Sequence, residues 1–216
     1  MNRDPKAFFT DEAARYDRYV SSLHYAEGIR AYFERAEWLR SGLRILDAGC
    51  GSGLPGLALL EAIERRGLEP GGVEGFDLTP AMLEHYREKL ARRGIDGVEL
   101  RQANVLELDQ LPASWTDYNL LLSASMLEYI PKERLAEAIA GLRSRLAADG
   151  RMVLFMTRRN TITRVLVERP WGGNRYSRAE LAQAFATAGF RETTFHRFPP
   201  RYAWLGLWGH IAEARF

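Results

Sequence analysis

Ile45-Leu46-Asp47-Ala48-Gly49-Cys50-Gly51-Ser52-Gly53 joins two kinds of sequence. Its first half, taken back to Arg44, is short, apolar and ended by glycine, which suits a buried strand. Its second half almost lacks side chains. Glycine there lets the backbone take positive φ and lets another molecule come close. Leu54 to Arg66 then reads as a helix, with Pro55 near its start, where a missing N–H costs nothing. A strand that passes through such a turn into a helix aims the free N–H groups of the helix at whatever sits in the turn. In an open α/β sheet, ligands bind at this end, outside the carboxyl ends of the strands.

The same alternation continues in both directions. Upstream, Ala7 to Ser22 and Tyr25 to Ser41 have helical spacing of apolar residues. Downstream come a strand at Gly72 to Leu78 and a helix at Pro80 to Arg93, with Thr79 as its expected N-cap. Strands follow at Val98 to Val105 and Tyr118 to Ala124. Lys132 to Ala148 is the clearest amphipathic helix, with Leu135, Ile139, Leu142 and Leu146 on one face and Asp149-Gly150 as its stop. Arg151 to Thr157 is a fifth strand. Ser177 to Ala188 is a helix with a Ser177/Glu180 capping box and Gly189 beyond its end. Phe190 to Phe198 and Trp204 to Phe216 read as two strands joined by Pro199-Pro200. Strands separated by helices predict a mainly parallel sheet covered on both faces. The last two lack a helix between them, so they are expected to pair antiparallel at the sheet edge. The fold class is therefore α/β, with one domain over residues 1–216.

Composition narrows the function classes. The chain has 216 residues, 30 Lys plus Arg against 28 Asp plus Glu, and a net charge of +2. That near-balance argues against a dedicated nucleic-acid binder, which would use a strong basic excess for phosphate affinity. One cysteine excludes an internal disulfide framework and a multi-cysteine metal site. No stretch has the apolar length of a signal peptide or of a bilayer span, and the expected location is the cytoplasm.

Two nucleotide-binding readings meet at the glycine turn. Gly51, Gly53 and Gly56 fit G-x-G-x-x-G, and Asp77 lies where a nicotinamide dinucleotide site places its acidic residue. Against that, the glycine run begins earlier, at Gly49, and Asp47 ends the strand. The downstream segments also match another pattern. The chain resembles the class I S-adenosylmethionine-dependent methyltransferases over most of its length. Ile45 to Gly53 is similar to that family's first motif and Val73 to Leu83 to its second. Gln102-Ala103-Asn104-Val105 is similar to the third, and Leu120 to Ile130 to the fourth-strand segment. Leu146 to Leu154, and Tyr176 through Phe190, resemble the family's later elements.

That resemblance implies a Rossmann-like, doubly wound sheet of seven mostly parallel strands. It ends in an antiparallel pair, with residues 1–42 forming a helical lid and 43–216 the cofactor-binding core. It implies S-adenosylmethionine as cofactor. Asp47, Gly49, Cys50, Gly51 and Gly53 would surround the methionine part of the cofactor. Asp77, with Leu78 beside it, would accept hydrogen bonds from the ribose hydroxyls. Met82, Asn104 and Val105 would lie beside adenine, and Ser123 and Ala124 would offer main-chain contacts. Tyr16 or Tyr19 would cover the cofactor. Asn104 departs from the family, which usually has aspartate there; asparagine keeps an acceptor oxygen but loses the charge.

Plainer readings stand beside these. Asp47 also serves as a polar strand end, Met82 as helix core, and both tyrosines as ordinary packing. Cys50 between two glycines is expected to be an inert buried thiol. Of the four histidines, His24 is the one whose loop could face the site, as a general base. The arginine-rich stretch Met156 to Tyr176 suits either an acceptor pocket or a solvated surface.

The reaction so implied is in-line transfer of a methyl group to a small-molecule acceptor whose nucleophilic atom (O, N or C) stays open. The aromatic termini suit an apolar or aromatic compound or a lipid. No spacing argues for a metal site. A nicotinamide-dependent oxidoreductase using the same turn, or a non-catalytic cofactor-binding or partner module, are the competing functions.

Overall fold

A computed structural model describes residues 24–165 and 172–216. It contains one sheet of seven strands: β1 (Arg44–Ala48), β2 (Gly72–Asp77), β3 (Val98–Gln102), β4 (Tyr118–Ala124), β5 (Leu146–Thr157), β6 (Glu192–His196) and β7 (Gly209–Arg215). Their order across the sheet is β3-β2-β1-β4-β5-β7-β6. The first five run parallel, whereas β7 pairs antiparallel with both β5 and β6. The predicted last pair is therefore present, but β7 sits inside it and β6 alone forms the edge.

Helices cover both faces. On one lie α1 (Tyr25–Glu34) and α2 (Leu54–Arg65), and on the other α4 (Leu135–Arg143) and α5 (Arg178–Thr187); α3 (Pro80–Arg93) packs over β2 and β3. Alternation along the strands feeds the two layers. Leu120 and Leu122 of β4, with Val153 and Phe155 of β5, meet Ile29, Phe33, Leu59 and Ile63. Leu121, Met152 and Leu154 meet Ile139, Leu142, Leu181 and Phe185. Each such buried leucine contributes about 1.5–3 kcal/mol of transfer free energy, so the sheet is pinned from both sides.

The strands expected at Val98 to Val105 and Phe190 to Phe198 are shorter, Val98–Gln102 and Glu192–His196, and three other element boundaries differ further from the sequence expectation, each for a local reason. Helix α1 stops at Glu34, not Ser41: turns take over, with the Ala36 N–H on Phe33 O and the Leu39 N–H on Ala36 O. They lay Leu39 and Leu43 into the core and let the Trp38 indole N–H reach Glu213 Oε2 at 3.1 Å. The helix expected over Lys132 to Ala148 is a 3-10 turn, Lys132–Arg134, followed by α4, which ends at Arg143. Leu146 matched the helical period, but it pairs with Tyr118 as the first residue of β5. Gly150 thus lies within a strand; a Cβ there would come 2.6 Å from Tyr118 O, where the β4–β5 register shifts. Finally, Pro200–Leu207 is 3-10 helix and β7 begins only at Gly209, because the two prolines set a helical entry after β6.

Other signals hold. Helix α3 has the expected ends, and the Ser177/Glu180 capping box forms in both directions. Thr79 occupies the N-cap of α3 without a side-chain cap; the carboxylate of Asp77 receives its N–H instead. The helix expected at Ala7 to Ser22, with Tyr16 and Tyr19, lies outside the described residues.

Candidate active site

The strand order reverses between β1 and β4, and a crevice opens there at the carboxyl ends of the strands. The turn after β1 forms its floor. Gly49, Gly51 and Gly53 all have positive φ, at 68°, 52° and 83°. The turn is tied to β2: the Gly49 and Cys50 N–H groups both reach Phe76 O, at 2.8 and 2.9 Å. The Gly51 N–H donates to Asp77 Oδ2 at 2.9 Å, while the Thr79 N–H donates to Asp77 Oδ1 at 2.8 Å.

The cleft holds about 1010 Å3 of empty space, counting the part open to solvent. Among the expected residues, Gly49, Cys50, Gly51, Asp77, Leu78, Met82, Asn104, Val105 and Ala124 line it. Asp47, Gly53 and Ser123 do not; Asp47 and Ser123 are buried behind its wall. His24 is also outside the lining. It is exposed at the start of α1, with Nδ1 3.2 Å from Glu27 Oε1. Its neighbour Tyr25 is the residue that faces the cleft, together with Ser125, Met126, Tyr129 and Ile130 from the segment after β4. Sequence reasoning passed over these five. Tyr25 was visible as an aromatic at a helix start, but the left-handed φ of Ser125, 53°, carries no sequence signal.

Electrostatics in the cleft are set by burial. Burial raises the Asp77 pKa, against the N–H bonds from Thr79 and Gly51, which lower it. Burial, and then the charge of Asp77, pushes Asp47 up to about 8. Burial likewise raises the Cys50 thiol, so it is a thiol and not a thiolate at neutral pH. Glu128, next to the cleft-lining segment, is pushed up to about 7 by burial, although Thr157 N–H donates to its Oε2 at 3.1 Å.

These groups suit a nucleoside with a cationic or polar tail. A carboxylate offers about four acceptor positions, and backbone N–H groups take two of those on Asp77, one per oxygen. Asp77 lines the cleft, so its carboxylate is placed to accept from a hydroxyl bound there. Both oxygens of Asp47 are buried with no hydrogen-bond partner among the described residues. Asn104 turns its Oδ1 to the Leu106 N–H at 3.0 Å, leaving one lone pair. No group of three or more His, Cys, Asp or Glu among the described residues is arranged to hold a metal ion.

The family described as "Methyltransferase domain" matches residues 45–150. A "Ubiquinone biosynthesis O-methyltransferase" of Nitrosococcus oceani is 30% identical over 139 residues, covering 64% of this chain and 53% of that protein. A "2-methyl-6-phytyl-1,4-hydroquinone methyltransferase 1, chloroplastic" of Oryza sativa subsp. japonica is 27% identical over 117 residues, covering 54% of this chain and 32% of that protein. Residues 45–150 therefore carry a methyltransferase-domain likeness that includes the cleft-forming strands β1 to β4. The chain spans between about a third and just over half of the length of these methyltransferase relatives. The methyltransferase fold is shared at full length with the magnesium protoporphyrin IX methyltransferase from Synechocystis, solved with bound S-adenosylhomocysteine. That structure has a TM-score of 0.67, 19% identity, and coverage of 99% of this chain and 100% of the other. The family match begins at Ile45 and so contains the whole glycine turn, Asp77 and Asn104.

Proposed function

We propose that the chain binds S-adenosylmethionine in this cleft and transfers its methyl group to a small-molecule acceptor. The observation that carries the reading is Asp77: a carboxylate at the end of β2, fixed by Gly51 and Thr79 N–H groups and lining the cleft, where it can accept from a ribose hydroxyl. Gly49 to Gly51 give the methionine portion a floor of bare backbone, with Asp47 buried behind it. Met82 and Val105 supply apolar faces for adenine, and Asn104 an acceptor at its edge. When bound, the cofactor supplies a methyl group already activated on a sulfonium.

The protein's contribution is then placement. Holding two reactants in line accounts for about 7–11 kcal/mol of barrier lowering in well-arranged reactions. No side-chain nucleophile is required for such a transfer. Tyr25, Met126, Tyr129 and Ile130 give the cleft an aromatic and aliphatic wall, which supports an apolar or aromatic acceptor or a lipid. The quinone-related and porphyrin names of the similar proteins point the same way. No helix among the described residues is long and apolar enough to cross a membrane. The reading takes residues 1–216 as one domain, with 1–42 covering the cleft, and places its work in the cytoplasm.

Calorimetric titration with S-adenosylmethionine, S-adenosylhomocysteine and NADPH tests it. Binding of the first two and loss of that binding in Asp77→Ala are expected. NADPH binding without S-adenosylmethionine binding would overturn the reading in favour of an oxidoreductase. Incubation of the protein with a metabolite extract and methyl-deuterated cofactor, followed by mass spectrometry, identifies the acceptor. Cofactor binding with no labelled product from any extract would leave a binding module in place of an enzyme.

A further inference from the structure

Five large hydrophobic side chains are exposed among the described residues: Leu78, Ile162, Val165, Trp204 and Leu207. Leu78 lines the cleft. The other four lie on two segments that touch each other. Arg158 N–H reaches Trp208 O at 2.8 Å, Arg158 Nη1 reaches Gly206 O at 2.9 Å, and Asn160 Nδ2 reaches Leu207 O at 2.6 Å. Within each segment the exposed pair is spaced by three. Ile162 lies in the short helix Thr161–Thr163 with Val165 just beyond its end, and Trp204 and Leu207 lie on a 3-10 helix, where i and i+3 align. A cluster of this kind, holding four of the five exposed large apolar side chains among the described residues, marks a contact surface.

Charge identifies the partner. Residues 158–165 and 197–208 contain Arg158, Arg159, Arg164, Arg197 and Arg201 and no Asp or Glu. All five arginines are exposed. Arg159 is held by Glu180, but no ion pair among the described residues engages Arg164, Arg197 or Arg201. Arginines around an aliphatic and indole patch match a surface that is anionic outside and apolar just beneath. A nucleic acid would use the arginines and leave Ile162, Val165 and Leu207 without a role. A second copy of the chain would bring like charge against like charge.

The patch also has a meaningful position. It follows the carboxyl end of β5 and precedes β7, so it lies at the same end of the sheet as the cleft. The 3-10 helix that carries Trp204 and Leu207 is bounded by Phe198, whose ring centroid is 6.4 Å from that of the cleft-lining Tyr25. We propose that Ile162, Val165, Trp204 and Leu207, with Arg164, Arg197 and Arg201, form a docking surface for an anionic lipid bilayer. The cleft opens beside it. An acceptor dissolved in lipid then reaches the aromatic wall without crossing bulk water.

Flotation of the full chain with phosphatidylcholine vesicles, and with the same vesicles containing phosphatidylglycerol, tests this. Binding to the anionic vesicles that weakens with salt is expected. Arg164→Ala and Arg201→Ala are each expected to weaken it about fivefold. The double variant Ile162→Ser/Leu207→Ser should lose it. Trp204 emission should shift to the blue on binding, and that shift should vanish in Trp204→Phe. All substituted side chains are exposed, so thermal unfolding should match the parent. Failure to bind anionic vesicles would overturn the proposal. So would binding that the double serine variant leaves intact, or retention on single-stranded RNA as strong as on vesicles. S-adenosylmethionine binding measured on the same samples reads the cleft separately, so loss of one activity does not mimic loss of the other.

Discussion

The Gly51 amide lies 2.9 Å from Asp77 Oδ2, across 26 positions of chain, and locks the turn after β1 to the end of β2. The two parts of the cleft that a nucleoside would touch are thus one rigid unit. Thr79 N–H holds the second carboxylate oxygen at 2.8 Å, so both oxygens must be acceptors.

Asp77→Asn breaks that requirement. An amide has one acceptor oxygen, so its NH2 must face one of the two N–H donors. The expected result is a stability loss of about 1–3 kcal/mol and at least about tenfold weaker cofactor binding. Urea unfolding without cofactor, and calorimetry with it, measure the two effects. Unchanged stability would show that the Gly51 and Thr79 contacts do not hold the carboxylate.

Gly51 and Gly53 should respond differently to alanine. Both have positive φ, which costs an L-residue about 1–2 kcal/mol. A Cβ at Gly51 meets no atom of the described residues within 4 Å, whereas one at Gly53 runs into the Tyr86 ring. Gly51→Ala should fold with only that strain and lose cofactor affinity, since the methyl group narrows the cleft floor. Gly53→Ala should be clearly less stable, because buried Tyr86 must move. Equal unfolding midpoints for the two variants would contradict this ranking.

The buried acids set a pH dependence with a definite sign. Asp47 titrates at about 8 in the folded chain, raised by burial and by Asp77, against its ordinary 3.8. Between those values the folded state holds a proton that the unfolded state has released. Stability from this group is therefore full below the lower value and lost as pH rises through the upper one. The slope is at most about 1.4 kcal/mol per pH unit. Glu128, raised to about 7, acts in the same direction. Asp47→Asn should flatten the fall in stability between about pH 6 and about pH 8.5. Chemical denaturation at both values checks it, and parallel curves for parent and variant would refute it.

Glu213 on β7 gathers the far side of the same layer. Its carboxylate receives Arg151 Nη1 at 2.7 Å and the Trp38 indole N–H at 3.1 Å, and it lies 3.1 Å from His196 Nε2. Glu213→Ala leaves the largely buried guanidinium of Arg151 without its partner, a change of about 3–5 kcal/mol. Thermal unfolding should show it as a large drop in midpoint, with cofactor binding retained at low temperature.

Much of this was legible in the sequence for a physical reason. The turn from Gly49 to Gly53 and the Asp77 strand end are local features, written in consecutive residues, and the structure brings Gly51 and Asp77 together. Helix α3 and the Ser177/Glu180 cap are local too. Leu146 was misread because a leucine at helical spacing is equally good as the first residue of a buried strand; only pairing with Tyr118 decides. Tyr25 was missed because it reaches the cleft from a distant part of the chain, and Met126 because it follows the left-handed turn at Ser125, which has no sequence signal. Asp47 illustrates the reverse: its type and position looked like a lining residue, but strand alternation turns it to the α2 side, away from the cleft surface.

The insertion of β7 between β5 and β6 also has a consequence for assembly of the fold. Met152 to Met156 of β5 are buried in the finished sheet, yet one edge of that strand has no partner until β7 is made, and β6 has none at all. During synthesis an apolar strand edge therefore stays open while the rest of the sheet is already complete. Open edges of this kind recruit other chains. The last strand in the order is thus the one whose arrival closes the window for misassociation, and nascent chains stalled before Gly209 should be the ones that chaperones hold.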